Sequence, residues 1–119
     1  MAQDNCVSIA PYFDIPAEHM DEFKQTVEQF VSATRNEDAC LYYGFLFDGR
    51  RATCREGYAG ADGVLAHLAN VGELFAHACE IAMLVRMEVH GPAAELDKLR
   101  QPLAEMDVDF YVLEDGFRH

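Results

Sequence analysis

Two aromatic-rich segments that meet at Asp48-Gly49 constrain this chain more than any other feature. Residues 39–47 and 50–58 read as strands, and the dipeptide between them tolerates the positive φ angles of a type I′ hairpin turn. With Asp48 and Gly49 as the two loop residues, Phe45 faces Ala52, Tyr43 faces Cys54 and Leu41 faces Glu56. Opposed residues share a sheet face. Tyr43, Glu56 and Tyr58 are therefore expected on one face, and Tyr42, Arg51 and Arg55 on the other.

The hairpin sits inside a longer alternation of elements. Residues 6–14 form a strand in which Val7, Ile9, Pro11 and Phe13 alternate with Cys6, Ser8, Ala10 and Tyr12. Pro11 has no amide proton, which places it on an edge or at a bulge. Pro16 opens a helix to about residue 35, with Glu18, Asp21 and Glu22 near the positive end of its dipole. Met20, Phe23, Val27, Phe30, Val31 and Thr34 form its apolar stripe. After Gly60 a helix runs from about Asp62 toward Asn70, where Val71-Gly72 is expected to break it before a second segment from Glu73 to about Ala82. Residues 84–89 form a further strand, 93–100 a short amphipathic helix limited by Pro102, and 109–113 a last short strand.

Strand, helix, strand, strand, helix, strand is the split βαβ order of a ferredoxin-like α+β fold. It predicts an antiparallel sheet with helices on one face. The opposite face, with Leu46, Tyr42 and Tyr12, would be apolar and uncovered, so a homodimer is expected. At 119 residues the chain fits a single domain spanning 1–119.

Nine basic against 21 acidic residues give a net charge of −12, which disfavours nucleic acid and anionic membrane surfaces as partners. Arg50, Arg51 and Arg55 concentrate on one strand, either as a local anion site or as a solvated hairpin tip. The four cysteines, Cys6, Cys40, Cys54 and Cys79, form no CxxC pair, no zinc spacing is present, and no signal peptide is expected. Reduced thiols in a cytoplasm fit this pattern, and no apolar run approaches the roughly 20 residues of a membrane span.

Glu56, Tyr58, Gly63, His67 and Leu68 form a spaced set: a carboxylate, an aromatic two residues later, a small residue, and a histidine-leucine pair. Cys40, Leu41 and Tyr43 on the preceding strand and Pro16 and Phe23 before it complete the pattern. In these residues the chain resembles the antibiotic-biosynthesis-monooxygenase-like family over about residues 6–91, with 92–119 a less typical C-terminal extension. The resemblance implies a dimeric α+β barrel and chemistry without metal or flavin, in which dioxygen oxidises phenols, quinols or polycyclic aromatics. Other family members degrade haem or isomerise small metabolites. The haem-degrading and polyketide-oxidising types use a pocket tryptophan, and this chain has no Trp.

A cofactor-free oxygenase needs a base, an apolar pocket for the carbanion and donors for the resulting oxyanion. His67, whose ordinary pKa near 6.5 suits proton transfer, is the candidate base, and Glu56 either orients it or acts itself. Tyr43 and Tyr58 are candidate substrate donors. Each residue also has a core explanation: His67 as a hydrogen-bonded histidine at the core margin, Glu56 in a structural ion pair, the tyrosines as packing. His67, His77 and His90 lie on separate elements without HxH or HxxxH spacing, so no metal is assigned. The expected function is therefore a cofactor-independent monooxygenase acting with dioxygen on a small phenolic or quinol-like substrate. A noncatalytic dimeric module that binds a small metabolite or serves in assembly is the alternative, and a haem-binding variant stands third. A solid core with Glu56 and His67 paired only to backbone would favour the noncatalytic module.

Overall fold

A computed structural model describes residues 4–119. Five strands, β1 (Cys6–Asp14), β2 (Cys40–Asp48), β3 (Arg51–Ala59), β4 (Met83–Gly91) and β5 (Val108–Val112), form one sheet in the order β2-β3-β1-β4-β5. Helices α1 (Met20–Thr34) and α2 (Gly60–Ile81) pack on one face, and the short α3 (Ala93–Asp97) joins β4 to β5. The first four strands run antiparallel in the ferredoxin-like order, while β5 pairs with β4 in parallel. The sheet is thus mixed, not antiparallel throughout: α3 acts as a crossover, and a parallel neighbour needs one.

The hairpin closes one residue later than the sequence suggests. Asp48 pairs with Arg51, so Gly49 and Arg50 form the loop, and Tyr43 faces Glu56 while Phe45 faces Cys54. Gly49 has φ +60° and Arg50 does not, which matches a type II′ turn with glycine first rather than type I′. The pairing shifts by two residues, an even number, so Tyr43, Glu56 and Tyr58 still share the helix-covered face. Leu41 does not face Glu56, which pairs with Tyr43; it falls instead at the register shift between Cys40 and Tyr42.

Three further expectations change. Strand β1 is internal, so Pro11 is not on an edge; its pairing with β3 skips Ala10 and Pro11, and a bulge against β4 follows at Tyr12/Phe13. Helix α2 runs unbroken through Gly72 for 22 residues. A helical glycine costs only about 1 kcal/mol, and the buried stripe Val64, Val71, Ala78 and Ile81 outweighs it. Helix α1 is preceded by a 3-10 turn at Ala17–His19.

The core has two lobes. Phe13, Ile15, Phe23, Phe30 and Val71 fill one, with Phe13 and Phe23 ring centroids 5.2 Å apart edge to face. Val7, Tyr58, Val64, Val89, Leu96 and Leu99 fill the other. Burying each such aliphatic side chain contributes about 1.5–3 kcal/mol. The C-terminal extension is part of this second lobe, and Glu95 Oε1 accepts the Ala61 amide at 2.8 Å, satisfying an orphan donor in the first turn of α2. No described helix is long and apolar enough to cross a membrane.

The other sheet face carries no helix. Tyr12, Tyr42 and Leu46 remain 37%, 39% and 49% exposed there. Tyr42 lies flat over Gly57, where any Cβ would collide with its ring, and Arg55 stacks on that ring at 5.4 Å. Tyr12, Leu46 and Val85 line a broad groove of about 600 Å³ that also touches Phe47, whose ring packs on Phe23 of α1 on the helix-covered side.

Candidate functional site

Strand alternation places Glu56 and Tyr58 under α2, and α2 presents His67 from above. The resulting cluster is almost entirely sealed: Tyr58 is 0%, His67 3% and Glu56 4% exposed. Gly63, one turn before His67, makes this approach feasible, since a Cβ there would lie 3.1 Å from the Tyr58 Cβ and 3.0 Å from that of Ala39.

Tyr58 donates its phenol proton to Glu56 Oε1 at 2.7 Å. His67 Nε2 lies 3.4 Å from the same oxygen, longer than an ordinary hydrogen bond. On its other side His67 Nδ1 meets Glu37 Oε2 at 2.9 Å, and Asn70 Nδ2 donates to that oxygen at 2.8 Å. Glu37 fixes the tautomer: Nδ1–H donates to its carboxylate, and the Nε2 lone pair is left facing Glu56. The imidazole lies between two tyrosines, with its centroid 4.9 Å from Tyr58 and 5.5 Å from Tyr43.

Electrostatics follow from burial. Loss of water around Glu56 pushes its carboxyl up to about 7, against the opposing hydrogen bonds from Tyr58 and Cys54, and the nearby Glu37 charge adds to the rise. Burial moves His67 the other way, below its ordinary value, although the Glu37 carboxylate resists that shift. Tyr43, Tyr58 and Cys54 are all held neutral, first by burial and then by neighbouring charge, in which Glu56 takes part. Near neutral pH the site therefore holds a neutral imidazole beside a carboxyl poised between its acid and its base.

A cavity of about 190 Å³ borders this cluster, lined by Val31, Thr34, Arg35, Glu37, Leu41 and Tyr43 among others. Glu37 and Tyr43 are the members of the cluster that reach it, while Glu56, Tyr58 and His67 lie behind them. The structure thus brings together all four residues singled out in the sequence. It also adds Glu37, Asn70, Cys54 and Thr34. Asn70 is one turn from His67 on α2 and was detectable by helical spacing, whereas Glu37 lies in a loop 30 residues away with no local signal.

The remaining candidates disperse. His77 pairs with Glu22 at 2.9 Å, and His90 with Glu88 at 2.9 Å on the open sheet face, so neither approaches His67. Among the described residues no group of three or more His, Cys, Asp or Glu side chains is arranged to hold a metal ion. Arg50 and Arg51 pair with Asp14 and Asp48, and Arg55 stacks on Tyr42, which is the solvated-tip arrangement.

No family model matches the chain, and no curated protein matches it. Solved structures do. MupZ from Pseudomonas fluorescens superposes with a TM-score of 0.92 at 47% identity, over 97% of this chain and 95% of that one. A putative antibiotic biosynthesis monooxygenase from Nitrosomonas europaea superposes at 0.67 with 13% identity, over 78% of this chain and 95% of that one. One from Caulobacter crescentus CB15 gives 0.65 with 15% identity, over 72% and 88%. These last two are similarities of fold.

Proposed function

The chain belongs to the antibiotic-biosynthesis-monooxygenase-like family, with MupZ as a relative sharing 47% identity, and from that premise we propose that it is a cofactor-independent acid–base enzyme, a monooxygenase of small phenolic or quinol-like substrates. The observation that carries this reading is the continuous series Glu37, His67, Glu56, Tyr58, which ends at a cavity wall shared with Tyr43. Glu37 meets the substrate and takes its proton. His67 donates Nδ1–H to that carboxylate and keeps it in place, while its free Nε2 faces Glu56, whose carboxyl titrates near 7 and holds a proton that the imidazole can pass outward to Glu37. Tyr43 donates to the developing substrate oxyanion. The carbanion left behind adds dioxygen, and the resulting hydroperoxide loses water to give a carbonyl.

A noncatalytic module would be favoured by a solid core with Glu56 and His67 bonded only to backbone. Their partners here are side chains, and Glu37, the partner of His67, reaches a cavity that Glu56 and His67 themselves do not line. One observation favours a redox-neutral variant: a proton held at a carboxyl with a pKa of about 7 can be returned to another atom of the same substrate, which is an isomerisation. Oxygen uptake and deuterium exchange distinguish the two. Oxygen consumption with a quinol and hydroxynaphthoquinone panel, lost in Glu56→Gln, supports the oxygenase. Deuterium entry from heavy water without oxygen uptake supports the isomerase, and neither signal with any substrate defeats both.

We also propose that the uncovered sheet face pairs with a second copy of the chain, because Tyr12, Leu46 and Val85 line an apolar groove too large for a monomer to leave wet.

A further inference from the structure

The cavity beside Glu37 contains donors that the protein itself does not use. Thr34, the last residue of α1, is 1% exposed, yet its Oγ1 has no hydrogen-bond partner among the described residues. Thr34 and Tyr43 line the same cavity. A buried hydroxyl without a partner costs about 1–3 kcal/mol, a cost that a bound oxygen atom would remove. Arg35 follows Thr34 at the helix end, lines the same cavity from its exposed side, and forms no ion pair with any described residue. Lys24 and Arg55 also lack an ion pair, but each lies over an aromatic ring, of Phe47 and Tyr42. The Glu37 carboxylate also lines the cavity, but its oxygens are engaged by His67 and Asn70.

We infer that this cavity recognises a small hydroxy- or keto-acid by its two ends: a neutral oxygen held between Thr34 and Tyr43, and a carboxylate held by Arg35 at the mouth. The inference rests on the proposed enzyme reading and specifies its substrate class. Size agrees, since a cavity of roughly 150 Å³ accommodates benzene and this one measures about 190 Å³, room for one substituted ring or a short chain. Arg35 supplies a planar fork matched to a carboxylate, and a charge-assisted bond there exceeds a neutral one. The net charge of −12 opposes anions at long range, so the local guanidinium, not the overall field, has to select them.

Three probes test this by calorimetric or NMR titration: 4-hydroxybenzoate, its methyl ester, and benzoate. The wild-type protein is expected to bind 4-hydroxybenzoate about tenfold more tightly than either of the others. Arg35→Gln should abolish the preference over the ester and keep the preference over benzoate. Thr34→Val, which conserves shape, should do the reverse. Equal binding of all three probes, preferences unchanged in the variants, or no binding up to about 10 mM overturns the inference. Failure of the enzyme reading is separable: both preferences can persist in a protein that turns over nothing, and Glu56-dependent turnover can persist in one without either preference.

Discussion

Glu37 accepts the Nδ1–H of His67 at 2.9 Å across 30 residues of chain, and this one contact determines which imidazole nitrogen is free to act. Because the carboxylate favours the charged imidazolium, it holds His67 higher than burial alone would. Glu37→Gln removes that support. The His67 pKa should then fall further below its ordinary 6.5, read by NMR titration of the imidazole. Turnover should drop by about a hundredfold, since the Gln amide cannot take the substrate proton. An unchanged His67 titration would remove Glu37 from the site.

Glu56 makes a distinct prediction about stability. Its carboxyl is raised from 4.5 to about 7 in the folded state, so the folded protein binds this proton more tightly than the unfolded chain does. The contribution is fully present below pH 4.5 and is lost as pH rises through about 7. Glu56→Gln keeps the shape and cannot ionise. Relative to wild type, the variant should therefore gain roughly 2–4 kcal/mol in unfolding free energy between pH 4 and pH 8, measured by urea denaturation at each pH. A difference independent of pH would mean that Glu56 titrates as an ordinary carboxylate.

Tyr58→Phe removes the phenol that donates to Glu56 at 2.7 Å. That bond lowers the carboxyl pKa, so its loss should move Glu56 above about 7. The alkaline limb of the pH–rate profile should shift upward with it. Stability should fall by about 1–2 kcal/mol, because a buried carboxylate oxygen loses its donor. An alkaline limb that stays in place would assign that limb to another group.

How much of this could be seen in the sequence depends on the range of the interaction. The face shared by Tyr43, Glu56 and Tyr58 follows from strand alternation, and survived a pairing shift of two residues because the period is two. The exact pairing did not follow, since Asp48 and Gly49 both suit a turn and only the folded backbone shows that Gly49 occupies the first loop position. Gly72 carries the signature of a break, but helix breaking is weak beside continuous burial on both sides of it. Glu37 was not legible at all. Its role arises where a loop after α1 meets α2, a contact that no local periodicity encodes. Helical spacing puts Thr34 on the apolar stripe of α1, but its unsatisfied hydroxyl appears only once its neighbours are known.

The uncovered sheet face leads to the last prediction. Leu46 is 49% exposed beside Tyr12 and the groove of about 600 Å³, on the side of the sheet away from Glu56 and His67. A second copy packed here would bury Leu46 near the centre of an interface that typically covers more than about 1,000 Å². Leu46→Arg places a charge there at little cost to the monomer, whose core it does not touch. Sedimentation at about 10 μM should find wild type as a dimer and the variant as a monomer. Arg86 lies at the edge of the same groove and binds Glu88, Tyr111 and Asp109, with the Tyr111 hydroxyl at 2.6 Å, so its charge is already satisfied within one chain. Arg86→Ala should consequently weaken the dimer far less than Leu46→Arg, because apolar burial, not a cross-chain ion pair, is the driving term. A wild-type monomer at that concentration would defeat the proposal, and a dimer insensitive to Leu46→Arg would move the interface elsewhere.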